Sequence, residues 1–209
     1  MPSPGAGGSA AEAAEEVTTV DSPRCPGTVA RSFVRQRPAP TVAPMSDDAS
    51  ALPATDGERR ALAALEASEI GFTITRHGRV GSLAEAAQAR GIEPSGIVKT
   101  IVVRRGDDDF LLVLVPGDRT ISWPKLRALL GVSRLSMPDA ATAKDVTGYE
   151  RGTITPFGSL REWPVVADSR VPGRAVSIGA GAFGVAATVD GGDLAKALSA
   201  TVADVTEPE

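Results

Sequence analysis

The sequence predicts an α+β protein built around a mixed β-sheet, and three observations support this class. Hydrophobic residues make up 42% of the 209 residues, which is enough to form a core from Val, Ile, Leu and Ala side chains. From residue 55 onwards, β-branched apolar runs and capped helical segments both occur. The two kinds of segment do not alternate regularly, which argues against a doubly wound parallel sheet.

Capping signals locate the first two helices. Thr55 and Glu58 have the spacing of a capping box, and Ser82 and Glu85 repeat that spacing. Gly91 stands where a left-handed helix end is expected. This part of the chain is therefore predicted to contain a helix from residue 55, a strand over 72–75 and a helix over 83–90.

Two β-branched runs in the middle of the chain predict a hairpin. Residues 97–104 and 110–115 are largely apolar, and a Gly-Asp-Asp-Asp sequence between them supplies turn residues. Ser122 then precedes a helix that is predicted over 123–131. A shorter helix is predicted over 138–146.

Short apolar runs dominate the last part of the chain. A Gly- and Pro-containing loop over 147–158 separates them from the preceding helix. We predict strands over 165–167, 175–178 and 185–189, a helix over 193–198 and an edge strand over 202–205. No internal repeat is visible, so these elements are expected to form one domain over residues 55–207.

Residues 1–54 are predicted to form a disordered extension. The first 45 residues hold seven of the sixteen prolines and no apolar repeat, so they bury too little surface to offset the entropy lost on ordering. Met45 is followed by a polar stretch typical of a protein start, and translation is hypothesised to begin there. Cys25 would then lie outside the functional protein.

Charge and residue counts exclude several classes of function. The chain has 22 Lys and Arg against 26 Asp and Glu, a net charge of −4, which argues against coating nucleic acid or a membrane through bulk positive charge. A single Cys excludes a disulfide framework, and a single His excludes a His-rich metal site. No stretch is apolar enough to span a membrane, and we expect a cytoplasmic protein.

Lys99 is the most informative single residue. Alternation along its predicted strand places it on the same face as Ile97, Ile101 and Val103. A lysine on an apolar face is costly unless an anionic or carbonyl group meets its ammonium. The alternative is an edge-strand lysine whose stem covers apolar surface while its ammonium reaches water, and the spacing favours neither.

Two glycine-rich segments are candidates for binding a ligand through backbone amides. The loop over 148–158 has three glycines and a proline, although an ordinary surface connection fits its composition equally well. Residues 179–184 spell Gly-x-Gly-x-x-Gly, but a β-branched run follows where a dinucleotide site requires a helix. We therefore reject a dinucleotide site and predict a turn between strands.

His77 and Asp168 are weaker candidates. His77 has no nearby Ser or Cys with which to build a catalytic triad, so a surface role is favoured. Asp168 ends an apolar run, and it either faces Lys99 or serves as a turn or helix cap. Residues 107–109, three aspartates, lack the spacing of a calcium loop and are interpreted as a solvated turn.

Taken in order, the Lys99 strand, the Gly- and Pro-containing loop and the late glycine turn resemble the YbaK family of prolyl-tRNA-synthetase-associated editing domains. The resemblance covers about residues 57–207 and rests on IVKTIVV at 97–103, GTITP at 152–156 and GAG at 179–181. It implies a mixed, mainly antiparallel, barrel-like sheet with flanking helices. It also implies a deacylase that hydrolyses the ester of a mischarged tRNA such as Cys-tRNA(Pro) or Ala-tRNA(Pro), with no cofactor or metal.

The resemblance also implies which residues form the site. Lys99 matches the family's functional lysine, and the implied catalytic residues are Lys99, Gly152, Thr155 and Pro156. The implied substrate-binding residues are His77, Thr100, Tyr149, Thr153, Ile154, Phe157, Gly158, Asp168, Gly179, Ala180 and Gly181. Thr153 and Thr155 stand where many relatives have Gly and Ser, which is expected to narrow the pocket.

The implied partner is the acceptor end of a mischarged tRNA, presented with the help of a synthetase or an elongation factor; no membrane is involved. Residues 97–137 hold seven basic and four acidic side chains, so the local charge is positive although the net charge is negative. The alternative function is a non-catalytic module of the same fold that binds an aminoacyl or nucleotide-like ligand.

Overall fold

The fold is described for residues 54–209 by a computed structural model. The predictions of a disordered extension, of a start at Met45 and of a role outside the domain for Cys25 fall outside the described residues. Within the described range, every helix is too short or too polar to cross a membrane.

Capping residues set the ends of the helices. The hydroxyl of Thr55 accepts a hydrogen bond from the backbone N–H of Glu58, and that of Ser82 accepts one from Glu85, both at 3.1 Å. Gly91 ends the second helix with a φ of 65°, as its position predicted. The α-helices of residues 54–209 are α1 (Asp56–Ala67), α2 (Leu83–Arg90), α3 (Trp123–Leu130), α4 (Ala140–Thr147) and α5 (Gly191–Ala197).

The strands form one large mixed sheet and one small sheet. Those of the described residues are β1 (Phe72–Arg76), β2 (Ile97–Gly106), β3 (Asp109–Pro116), β4 (Arg119–Ile121), β5 (Val165–Asp168), β6 (Ala175–Gly179), β7 (Val185–Asp190), β8 (Thr201–Ala203) and β9 (Thr206–Pro208). The large sheet has the order β1-β7-β6-β2-β3-β5-β8 and combines antiparallel with parallel neighbours. The predicted α+β class with a mixed sheet is confirmed.

Two apolar clusters lie on opposite faces of the β2–β3 hairpin. Val98 and Val102 of β2 belong with Leu112 of β3 to the larger cluster. Val103 of β2 and Val113 of β3 belong to the second cluster, which α3 covers. Side chains alternate along a strand, so neighbouring residues of β2 face different clusters.

The C-terminal elements differ from the prediction. The edge strand predicted over 202–205 is two strands, β8 and β9, and β9 pairs with β4 in a small sheet that the sequence did not reveal. These three-residue strands are too short to show alternation, and their partners are far apart in the sequence. Helix α5 begins at Gly191 rather than Asp193 because the Asp190 carboxylate accepts from the backbone N–H groups of Gly192 and Asp193.

An opening in the large sheet exposes one edge of β2. Strand β6 pairs only with Ile97 and Val98 at this edge. Further along, Arg104 exchanges two backbone hydrogen bonds with Ser136, at 2.8 and 3.1 Å. Residues 99–103 between these contacts have no strand partner on this edge within the described chain, so their backbone is available to line a cavity.

Candidate functional site

A cavity of about 450 Å³ lies beside the open edge of β2, a volume typical of small-ligand sites. Residues 97–102 form one wall. The backbone N–H and C=O groups of alternate strand residues point to the same edge of the strand. Those of Thr100 and Val102 therefore point to the open edge of β2, the edge at which Arg104 pairs with Ser136. The hydroxyl of Thr100 is buried and has no hydrogen-bond partner among the described residues. This wall therefore offers polar groups to a ligand.

The facing wall comes from the start of α4 and from the loop that follows this helix. Met137 and Asp139 line the cavity next to α4, and Gly152 and Ile154 line it from the loop. Gly179, at the end of β6, is also a lining residue. A Cβ atom added to Gly179 would lie 3.3 Å from the carbonyl oxygen of Ile154. The late glycine turn and the 152–156 loop are therefore in direct contact.

Backbone amides of the loop are further candidates for contacting a ligand. The N–H of Thr153 donates to the carbonyl oxygen of Glu150 at 2.9 Å. Gly152 and Ile154 are the chain neighbours of Thr153. No hydrogen bond within residues 54–209 uses the amide of either one. Amides of this kind can stabilise a carbonyl oxygen or an oxyanion in a cavity.

Lys99 lines the cavity, but its ammonium is engaged on the other face of the sheet. Its Nζ donates to the carbonyl oxygens of Gly117 at 3.0 Å and Arg119 at 2.6 Å, and it lies 3.5 Å from Oε1 of Glu209. Lys99 shares its face of β2 with Val103, as the alternation predicted. The carbonyl groups that a lysine on an apolar face requires are thus supplied by Gly117 in the turn after β3 and by Arg119, the first residue of β4.

Arg90, the last residue of α2, also lines the cavity. Its Nε donates to Nε2 of His77 at 3.3 Å, and its Nη1 donates to the hydroxyl of Ser177 at 3.4 Å. Nδ1 of His77 lies 2.7 Å from the carbonyl oxygen of Gly78. Burial lowers the pKa of Arg90 from its usual value, although an arginine in a protein stays charged at neutral pH. His77 therefore contacts the site through Arg90.

Positive charge dominates the cavity. Arg90, Lys99 and Arg151 line it together with one carboxylate, that of Asp139. The Asp139 carboxylate accepts from the backbone N–H of Thr142 at 2.7 Å, and this hydrogen bond lowers the pKa of Asp139. Asp139 is therefore ionised at neutral pH. Because the ammonium of Lys99 lies on the other face of the sheet, the cations that accompany this anion are Arg90 and Arg151. Such a cavity favours an anionic ligand.

Tyr149 and Phe157 support the loop from behind. The hydroxyl of Tyr149 donates to the carbonyl oxygen of Phe157 at 2.7 Å, and burial raises the pKa of Tyr149 to about 12. The guanidinium of Arg60 lies 4.7 Å from the centre of the Tyr149 ring and donates to the carbonyl oxygens of Gly148 and Gly158. These contacts hold both ends of the loop to α1.

Asp168 lies in a separate hydrogen-bonded cluster. It is fully buried, and its carboxylate accepts from the backbone N–H of Val205 at 3.2 Å and from the hydroxyl of Thr206 at 2.8 Å. It also accepts from the backbone N–H and the guanidinium of Arg170, at 3.0 and 3.1 Å. Burial acts to raise the pKa of Asp168, but these hydrogen bonds outweigh burial and lower it. The carboxylate joins β5 to the C-terminal segment and does not contact Lys99.

The structure separates the predicted site residues into two groups. Those that line the cavity are Lys99, Thr100, Gly152, Ile154 and Gly179. Those outside the lining are His77, Tyr149, Thr153, Thr155, Pro156, Phe157, Gly158, Asp168, Ala180 and Gly181. Among residues 54–209, no group of three or more His, Cys, Asp or Glu side chains is arranged to hold a metal ion.

Sequence reasoning missed Arg90, Arg151 and the start of α4 as parts of this site. Arg90 has the appearance of an ordinary basic residue in the last turn of a helix, where cations are common. Met137 gave no signal either, since a single exposed apolar residue is normal on a protein surface; the residue is 56% exposed. Only the packing of α2 and α4 around β2 brings these residues together.

The fold is thus an α+β sheet with a net positive cavity at an open strand edge, an arrangement suited to a small or extended anionic ligand. A sequence model of the aminoacyl-tRNA editing domain matches residues 77–197, which is more than half of the chain. The chain belongs to this family, as the resemblance to the prolyl-tRNA-synthetase-associated editing domains predicted.

Relatives with assigned names are much longer than the matching segment. The proline–tRNA ligase of Trichlorobacter lovleyi is 34% identical over 90 residues, which are 43% of this chain and 16% of the ligase. That of Desulforamulus reducens is 36% identical over 87 residues, 42% of this chain and 15% of the ligase. The similarity to these ligases thus covers a small part of their length.

A solved structure matches over nearly its whole length. The crystal structure of a proposed trans-editing enzyme for prolyl-tRNA synthetase is 27% identical and superposes with a TM-score of 0.67. The match covers 73% of this chain and 98% of the other. This chain and that protein therefore share one fold over the matched segment.

Proposed function

We propose that this protein is a trans-editing aminoacyl-tRNA deacylase that hydrolyses the ester bond of a mischarged tRNA carrying a small amino acid. Cys-tRNA(Pro) and Ala-tRNA(Pro) are the leading substrates. The observation that carries the proposal is the cationic cavity between the open edge of β2 and the 152–156 loop, in a chain of the editing-domain family.

Hydrolysis of an aminoacyl ester demands few catalytic side chains, because the ester is already activated. Water adds to the ester carbonyl, the bond from the carbonyl carbon to the ribose oxygen breaks, and the free amino acid and the ribose hydroxyl leave with release of one proton. The neighbouring ribose hydroxyl of the substrate is suited to assist this proton transfer. The protein then needs to hold the carbonyl and to stabilise negative charge on its oxygen.

The amides of Gly152 and Ile154 are suited to that role in the proposed reaction. Both residues line the cavity, and neither amide donates to another group in the described part of the chain. The loop that holds them is fixed by the Tyr149 hydroxyl and by Arg60, so little reorganisation is needed when charge develops.

A small amino acid fits the crowding behind this loop. Thr153 and Thr155 are buried, with 2% and 0% of their surface exposed, so the space behind Gly152 and Ile154 is filled by protein. One methylene group changes discrimination by only about 1–3 kcal/mol, so closely related small amino acids have to be compared directly.

The direct test measures amino acid release from tRNA(Pro) charged with Cys, Ala or Ser, with Pro-tRNA(Pro) as the correctly charged control. We expect catalysed release from at least one of the mischarged tRNAs and none above the spontaneous rate from Pro-tRNA(Pro). Binding without release from any of them would support the alternative, a non-catalytic module of the same fold.

Replacing Lys99 by Ala should lower kcat/KM for the edited tRNA about tenfold or more. Two carbonyl oxygens lose their donor, and the first residues of β2 lose their attachment to the segment after β3. We propose that Lys99 acts here as a positioning residue for the open strand edge. Lys99→Arg should restore most of the activity, since a guanidinium can donate to both carbonyls. Steady-state kinetics and thermal melting of both variants check this.

Lys196→Ala is the matched control, because that side chain is 81% exposed and lies on α5. It should leave kcat/KM unchanged. Wild-type kinetics in Lys99→Ala would contradict the proposed positioning role of Lys99.

The proposed tRNA complex should be weak and sensitive to salt, because the chain has a net charge of −4 and few cations line the cavity. A synthetase or an elongation factor that presents the tRNA would compensate for this weakness. Such a role is consistent with a cytoplasmic location.

A further inference from the structure

Arg90 has hydrogen-bonding capacity that no protein group uses. A guanidinium carries five N–H donors in a planar fork. Arg90 uses one donor on Nε and one on Nη1, both towards uncharged partners, His77 and Ser177. Its Nη2 donates to no group in residues 54–209 and is not among the buried nitrogen atoms that lack a partner, so it is accessible.

Arg90 also lacks a counterion within the described chain. No carboxylate oxygen lies within 4.0 Å of it, whereas Arg60, Arg76 and Arg105 each have one within that distance. Removing a cation from water without an anion is unfavourable, and burial accordingly lowers the pKa of Arg90. An anion entering the cavity would offset this cost.

His77 fixes the direction of the guanidinium. Donation from Nε of Arg90 requires Nε2 of His77 to be an acceptor. The proton of a neutral imidazole then resides on Nδ1, from which it can be donated to the carbonyl oxygen of Gly78, 2.7 Å away. The ring therefore holds Nε of Arg90, a residue that lines the cavity, and leaves its Nη2 without a protein acceptor in the described chain.

We propose that Arg90 is the phosphate-binding residue of the cavity and contacts the phosphate of the 3′-terminal nucleotide of the substrate. This inference rests on the proposed function, because the carboxyl of an esterified amino acid is uncharged and the phosphates are the anions of an aminoacyl-tRNA end. Lys99 is committed to two carbonyl oxygens on the opposite face of β2. Arg151 is exposed, so Arg90 is the oriented cation.

A binding measurement tests this assignment without turnover. Adenosine 5′-monophosphate and adenosine differ in the phosphate alone, and both can be titrated into the wild-type protein by calorimetry or by NMR at low salt. The wild type should bind the monophosphate about tenfold more tightly, the size of one charge-assisted contact. Arg90→Gln should bind both ligands with equal affinity, and Arg90→Lys should keep part of the preference.

Arg161→Gln is the matched control, since it removes the same charge from an exposed residue that packs on Trp163 and does not line the cavity. It should keep the full preference for the monophosphate. Thermal melting of each variant establishes whether it is folded. If Arg90→Gln is unfolded, the comparison of the two ligands in the wild type still tests the assignment.

Three results would overturn the assignment: equal binding of the two ligands by the wild type, binding of neither, or an unchanged preference in folded Arg90→Gln. These outcomes are distinct from failure of the proposed function. If the protein prefers the monophosphate through Arg90 but releases no amino acid from any charged tRNA, the phosphate site is supported and the deacylase function is contradicted.

Discussion

Replacing Asp168 by Ala should lower the free energy of unfolding by about 3–5 kcal/mol, because it removes one partner from a buried, charge-assisted cluster. Five hydrogen bonds end on this carboxylate, one from Val205, one from Thr206 and three from Arg170. The backbone N–H of Val205 is left without its acceptor in a dry environment, and the C-terminal strand loses its attachment to β5. Denaturant unfolding of the two proteins measures the difference.

Asp168→Asn is the conservative comparison, because it keeps the size of the side chain and one acceptor oxygen but removes the charge. The pKa of Asp168 is lowered in the folded state, so its ionised form contributes stability above the unfolded-state pKa, which is about 4 for an aspartate. The difference between wild type and Asp168→Asn should be constant near neutral pH and shrink as the pH falls below about 4. A pH-independent difference, or wild-type stability in Asp168→Ala, would contradict this account.

Replacing Gly181 by Ala should lower the free energy of unfolding by about 2–5 kcal/mol, with about 1–2 from the left-handed backbone and about 1–3 from overpacking. Gly181 has a φ of 80°, where a side chain is strained. The new Cβ would overlap the carbonyl oxygen of Gly57 and lie 2.9 Å from Cε1 of Tyr149. The contact between α1 and the late turn would have to open, and Gly179 of the cavity would move with it.

Gly78→Ala is the control for this substitution, because it adds the same methyl group at a glycine whose Cβ position is open and whose φ is not positive. It should change the melting temperature little. Gly57→Ala approaches the same contact from the other side, since its Cβ would lie 2.5 Å from the carbonyl oxygen of Gly181. If Gly181→Ala melts like Gly78→Ala, the turn is more adaptable than its packing indicates.

The helices and the central hairpin were predictable because their signals are local. The caps at Thr55 and Ser82 act on residues three positions along the chain. Gly91 ends its helix through its own backbone conformation. Interactions of this range can be recognised without knowing the fold.

The site was only partly predictable. The Lys99 strand, the 152–156 loop and the late glycine turn contribute five predicted residues to the cavity. Ten other predicted residues lie outside its lining, because a motif marks a segment and does not indicate which of its side chains faces the cavity. Asp168 illustrates this, since a carboxylate at a strand end can cap a turn, bind a ligand or, as found, hold a distant strand.

The sequence alone determined the α+β class, the main helices and strands and the membership of the editing-domain family. Each of these depends on residues close together in the chain or on motifs in a fixed order. The tertiary structure alone decided where the cations point. The ammonium of Lys99 meets groups 18, 20 and 110 residues away, and Arg90 meets a hydroxyl 87 residues away. A long, flexible side chain takes its partner from whatever the fold brings within a few ångströms, and that proximity is not encoded in any local pattern.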